Sequence, residues 1–133
     1  MYILVPRILL GFIFLLYGLD GFVHFMPPYP MSAPARALIS ALTDSGFLWQ
    51  LMKATQITAG ILLLADLYVP LALVLLAPIV TIIFCLHLFI NPAGLPIGSA
   101  IAFLELVLAW FYRDYFRSVL VRKAVVVGVS QLQ

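Results

Sequence analysis

The sequence predicts an all-α integral membrane four-helix bundle, with both termini cytoplasmic and a short amphipathic helix in the first outer loop. Composition is the first reason. Hydrophobic residues make up 65% of the 133 residues and charged residues 9%, against roughly 45–50% and about 25% in soluble chains. Seven Lys/Arg and five Asp/Glu are too few to clothe a globular surface in water-compatible groups. The second reason is segment length: a helix crossing the bilayer needs about 20 mostly apolar residues, and such runs recur four times between turn signals. Mean hydropathy is +1.20. These observations exclude an ordinary soluble enzyme, a nucleic-acid binder and a disordered chain.

Residues 1–117 read as the four-span domain and 118–133 as a basic and apolar tail. The first span covers 3–25 and is ended by Pro27, Pro28 and Pro30, which cannot continue a helix. It is longer than a signal-peptide core, and Ala33-Pro34-Ala35 makes a poor cleavage site, so it reads as a retained helix. The first loop, 26–46, contains an amphipathic candidate over 34–43, with Pro34 in its first turn. The second span covers 47–67, and the segment 66–70 reads as a tight turn. The third, 71–89, contains Pro78, expected to kink it by freeing the carbonyl of Val74. The segment 91–96 is a strong turn signal, and the fourth span covers 97–112. In the tail, 124–129 is too short to span. It reads either as a surface segment held to anionic lipid by Arg122 and Lys123 or as a frayed end.

Orientation follows from basic residues. Arg7, Arg113, Arg117, Arg122 and Lys123 lie on the side of the termini, Arg36 and Lys53 on the other, which predicts an inner-membrane, multi-pass protein with cytoplasmic termini. Trp110, Phe111, Tyr112 and Tyr115 make an aromatic belt beside the basic cluster.

Ionisable groups within a span cost about 2.5–3.5 kcal/mol at the bilayer centre, so each requires a reason. At about 1.5 Å per residue, His24 sits at the outer rim, His87 about 5 Å in, Asp20 about 7 Å and Lys53 about 9 Å. Glu105 and Gln56 are deepest, at about 12 and 14 Å. All six fall in the outer half although they come from four helices of alternating direction. That coincidence predicts one polar pocket, open outward and narrowing toward Gln56 and Glu105. Helical phase agrees: Tyr17, Asp20, Gly21 and His24 share a face, as do Trp49, Lys53, Gln56 and Gly60. Gly98, Ala102, Glu105, Ala109 and Tyr112 form a stripe of mostly small residues that permits close helix approach within the bundle or in a homodimer.

The pocket chemistry matches a quinone headgroup: His24, His87 or Tyr17 as donors, Glu105 and Asp20 as proton-handling carboxylates, and Trp49 among the aromatic walls. Gln56 and Lys53 complete the binding set, Lys53 as counter-charge. No metal is expected, because Asp20 and His24 lack a partner pair of the carboxylate-bundle kind. One alternative is a haem held by His24 and His87, for which Gly21 gives clearance beside His24 while nothing in sequence flanks His87. A second is a non-enzymatic structural or chaperone-like protein whose polar residues only lock the helices. Cys85 is the single cysteine, so the chain has no dithiol of its own for electron transfer.

The residues 7–26 (RILLGFIFLLYGLDGFVHFM), 54–64 (ATQITAGILLL), 69–87 and 94–117 (GLPIGSAIAFLELVLAWFYRDYFR) resemble the DoxX-like (DoxD-related) small membrane proteins. The resemblance implies a four-helix membrane fold and places the chain near subunits of thiosulfate:quinone oxidoreductase or terminal quinol oxidase complexes. Others of that family are associated with oxidative or quinone stress. It therefore implies a quinone-linked oxidoreductase subunit or accessory with redox partner subunits. The family pattern has Asn where Asp20 stands and Glu where Gln56 stands; here the first helix has gained a carboxylate and the second has lost one.

Overall fold

A computed structural model describes residues 2–25 and 30–125. Among the described residues six α-helices run in chain order: α1 (Leu4–Val23), α2 (Ala33–Asp44), α3 (Leu48–Ala65), α4 (Val69–Phe89), α5 (Leu95–Phe111) and α6 (Arg113–Phe116). A 3-10 turn, Pro92–Gly94, leads into α5. Among the described residues, four segments are long and apolar enough to cross a membrane: Leu4–Val23, Leu48–Ala65, Val69–Phe89 and Pro92–Phe111. Among the described residues there are no strands. Pro27, Pro28 and the tail residues 126–129 lie outside the described residues.

The span ends differ from the sequence expectation by two residues where prolines are involved. Val69 and Pro70, expected in a turn, are the first two residues of α4, and Pro96 is the second residue of α5. Pro34 holds the same place in α2, where the Ser32 hydroxyl accepts from the Ala35 amide at 3.3 Å. The first turn of a helix leaves its amides without intrahelical partners, so a residue lacking N–H removes nothing there. α4 continues as α-helix through Pro78.

α3 closes with Asp66 in the left-handed region (φ 58°) and the Leu67 amide donating back to the Leu62 carbonyl at 3.0 Å. This Schellman geometry is more usual with glycine. Tyr68 is also left-handed (φ 49°), which lets α4 reverse direction within three residues.

Helix neighbours form a ring, with α1 on α3, α3 on α4, α4 on α5 and α5 on α1. Leu10 and Phe14 of α1, Leu63 of α3, Leu73 and Leu76 of α4 and Leu108 of α5 are sealed between them. Outward positions such as Phe12, Ile61, Val74, Ile82, Phe103 and Leu106 are exposed and apolar. Such a surface suits hydrocarbon and would not be stable in water.

α1 and α3 touch through backbone. A Cβ added at Gly60 would lie 2.8 Å from the Gly11 carbonyl oxygen and 2.9 Å from the Leu15 amide nitrogen. Neither backbone atom can yield, so only glycine permits this approach.

Up-and-down connectivity places Arg7, Asp66 and Tyr112 at one end of the bundle. Arg7, nearly buried, donates to the Leu63 carbonyl at 2.7 Å and meets the Asp66 carboxylate at 3.3 Å. It thus occupies the negative end of α3 and satisfies a terminal carbonyl. Burial first, then the Asp66 carboxylate, push the Tyr112 phenol above its ordinary range, with Arg7 opposing. The other end holds α2 and the candidate site.

Candidate functional site

Polar side chains at the α2 end gather in two groups. The first joins α1 to α3. Lys53 is half-buried, donates its ammonium to the Tyr17 carbonyl at 3.3 Å and lies 4.6 Å from the centre of the Trp49 ring. Trp49 in turn donates its indole N–H to the Gly21 carbonyl at 3.1 Å. Asp20 stands within electrostatic reach of the ammonium. The alkyl stem of Lys53 lies over Gly21, where an added Cβ would come within 2.5 Å of Cγ and Cδ. Glycine at 21 is therefore the berth of the lysine. Of the residues singled out in the sequence, Tyr17, Asp20, Trp49 and Lys53 are brought together here, with the Tyr17 main chain as acceptor.

The second group joins α4 to the loop and to α5. His87 is buried at 5% exposure, its ring enclosed by Gly94 and Gly98 of the following turn and helix. An added Cβ at Gly94 would run into the ring. The glycine clearance that the sequence does not place beside His87 in the chain is supplied in space by the Pro92–Gly94 turn and by α5. Nδ1 of His87 lies 3.4 Å from the Asn91 carbonyl oxygen. The Asn91 side chain accepts from the Ser32 amide at 3.1 Å and donates to the Pro30 carbonyl at 3.4 Å, while the Ser32 hydroxyl donates to the Ile90 carbonyl at 2.8 Å. Ser32 and Asn91 were not singled out from the sequence. The Ser-Ala-Pro start of α2 carried a readable capping signal, but nothing in the chain order names Asn91 as its partner.

His24 takes a different position. α1 ends at Val23, and His24 turns into the left-handed region (φ 55°) with its amide bonded to the Asp20 carbonyl at 2.8 Å. The residue is exposed. Its helical phase with Tyr17 and Asp20 does not carry past the helix end.

Deeper, Gln56 and Glu105 are 2% and 7% exposed, and Oε1 of Gln56 and Oε2 of Glu105 have no hydrogen-bond partner among the described residues. Such atoms in an apolar interior cost roughly 1–3 kcal/mol each unless something donates to them. Glu105 lines a cleft of about 290 Å³ between α4 and α5, walled by Ala77, Val80, Thr81, Phe84, Ala102, Leu106 and Ala109. That volume approaches the lower end of small-molecule sites, about 300 Å³, and the lining of apolar walls with one polar group is their usual chemistry. Among the described residues no cluster of three or more His, Cys, Asp or Glu is arranged to hold a metal ion.

No family model, curated protein or solved structure matches this chain.

Proposed function

We propose that this four-helix membrane protein binds a quinone or similar redox-active small molecule, as a subunit or accessory of a membrane electron-transfer complex. The observation that carries the reading is the Glu105 carboxyl, which has an unpartnered oxygen and lines an apolar cleft beside the Phe84 ring. A hydroquinone hydroxyl in the cleft is a donor for the Glu105 carboxyl, and an aromatic headgroup matches walls of Phe84, Val80 and Ala102. Oxidation of a hydroquinone held there would pass two electrons to a partner subunit and release two protons, one of them through the Glu105 carboxylate and the other to water. The resemblance of 7–26, 54–64, 69–87 and 94–117 to DoxX-like proteins points the same way. So does the distribution of basic residues for an inner-membrane protein whose termini face the cytoplasm and whose α2 end, with Asp20, His87 and Lys53, faces outward. Axial haem ligation is less well supported, because His24 is exposed and the His87 ring fills the hollow of Gly94 and Gly98.

A second reading is favoured by the α1–α3 group. Lys53 and Trp49 find their partners within the protein, as expected of polar residues that lock helices together. Glu105→Gln separates the two. Bound to purified wild-type protein in vesicles, a water-soluble benzoquinone is expected to quench tryptophan fluorescence saturably. The variant should bind about tenfold more weakly at unchanged melting temperature, about 1.4 kcal/mol. Equal binding with a lowered melting temperature assigns Glu105 to structure.

A further inference from the structure

We infer that residues 113–125, at the Arg7 end of the bundle, form an arm that lies in the membrane surface and binds anionic phospholipid headgroups. The inference is independent of the quinone reading, since the Glu105 cleft plays no part in it.

Where the last span stops, the chain changes character. α5 ends at Tyr112 (φ −98°, ψ 14°), and Tyr112 and Phe116 pack against the core, which holds the start of the arm to the bundle. Beyond α6 the backbone stays turned, with the Val119 amide donating to the Phe116 carbonyl at 3.0 Å and the Leu120 amide to the Arg117 carbonyl at 3.2 Å. Arg113, Arg117, Arg122 and Lys123 stand in this segment against one acid, Asp114, and all five are exposed. Among them Tyr115, Val119, Leu120, Val121 and Val125 are exposed as well, Leu120 at 81%. Five bare apolar side chains past the end of a span are poorly matched to water. Side by side with cations they fit the membrane boundary, where the apolar groups enter the acyl region and the charges stay among the headgroups.

The sign of the charge names the occupant, because anionic lipid phosphates complement it and each nearby Lys or Arg strengthens binding about fivefold. The two arginines nearest α5 are already set for this. Arg113 lies 4.5 Å from the centre of the Trp110 ring and donates through Nη1 to the Trp110 carbonyl at 3.1 Å. Its guanidinium is thereby fixed at the level where an interfacial tryptophan sits. Arg117 meets the Asp114 carboxylate through Nε at 3.3 Å, in a pair open to water and therefore weak. A lipid phosphate offers that guanidinium the bidentate contact it favours. Asp114 is thus a rival of the headgroup within the chain.

The test uses the full chain carrying Trp49→Phe, which leaves Trp110 as its single tryptophan. It is placed in phosphatidylcholine vesicles containing either brominated phosphatidylcholine or brominated phosphatidylglycerol. Quenching of Trp110 is expected to show a preference for phosphatidylglycerol of about fivefold or more. Salt at about 1 M, where the Debye length is about 3 Å, should abolish the preference. Asp114→Asn should raise it several-fold. Arg113→Gln, Arg117→Gln, Arg122→Gln and Lys123→Gln together should bring the ratio to about one, and exposed positions such as these bear substitution without loss of the fold. Amide exchange over 117–123 should slow when phosphatidylglycerol is added to phosphatidylcholine vesicles. Four results overturn the inference: equal quenching by the two lipids, a preference that survives loss of the four cations, a preference that does not rise in Asp114→Asn, or exchange over 117–123 as fast with the anionic lipid as without it. The last is the behaviour of an arm left in water or kept for an acidic protein.

Discussion

The α1–α3 pair and the α4–α5 pair are of similar length, but the second is the more apolar and holds only Gly98 where the first holds Gly11, Gly18, Gly21 and Gly60, and they are built to opposite ends. Between α1 and α3 backbone lies on backbone at Gly11 and Gly60, and the ammonium and indole set among them donate to carbonyls of α1. Between α4 and α5 small residues leave a cleft instead, and the carboxyl within it keeps an oxygen without a donor. Small side chains therefore do not define a tight interface by themselves. Ala77, Ala102 and Ala109 line a hollow, while Gly11, Gly18, Gly21 and Gly60 let their helices close. One pair supplies rigidity and the other supplies room.

Enlarging a small residue should have opposite consequences in the two pairs. Gly60→Leu drives a side chain into the Gly11 and Leu15 backbone and should cost about 3 kcal/mol or more, read as loss of the folded fraction in detergent melts. Ala102→Leu enters the cleft, and should leave the melting temperature within a few degrees of wild type while abolishing saturable quinone quenching. If both variants unfold alike, the α4–α5 cleft is no cavity and the contrast fails. Ser32→Ala removes the cap of α2 and its bond to Ile90, and should cost about 1 kcal/mol. Hydrogen exchange should locate that loss in α2, leaving the spanning helices protected. Smallest is Trp49→Phe, which keeps the ring under Lys53 but deletes the donor to Gly21. Interhelical hydrogen bonds in lipid average about 0.6 kcal/mol, and the melt should shift by no more than that.

The spans were legible because hydropathy over twenty residues is a bulk property that no single partner decides. Their ends were less so. Pro70 and Pro96 read as turn residues in sequence, whereas a helix start accepts them without loss. Helical phase placed Glu105 and Gln56 inside the bundle, since burial of a face depends only on its own periodicity. Phase says nothing of partners, and so the ties of Lys53 to Tyr17 and of Asn91 to Ser32 were invisible: each joins positions far apart in the chain. His24 shows the limit of the method in one residue. Its place on the Tyr17 and Asp20 face assumes one more helical residue than α1 has. The Arg7 contact with Leu63 and Asp66 was likewise unreadable, though both charges stood at the expected end of their spans.

The glycine contact between α1 and α3 bears on biogenesis. α1 and α3 leave the ribosome before α4 and α5, and in lipid each is already helical before it finds a neighbour. Glycine has no side-chain rotamers to surrender on docking, and the surfaces meet without displacing bulky groups. The first hairpin is thus equipped to close while the second is still being synthesised, giving α4 and α5 a finished wall on which to fold.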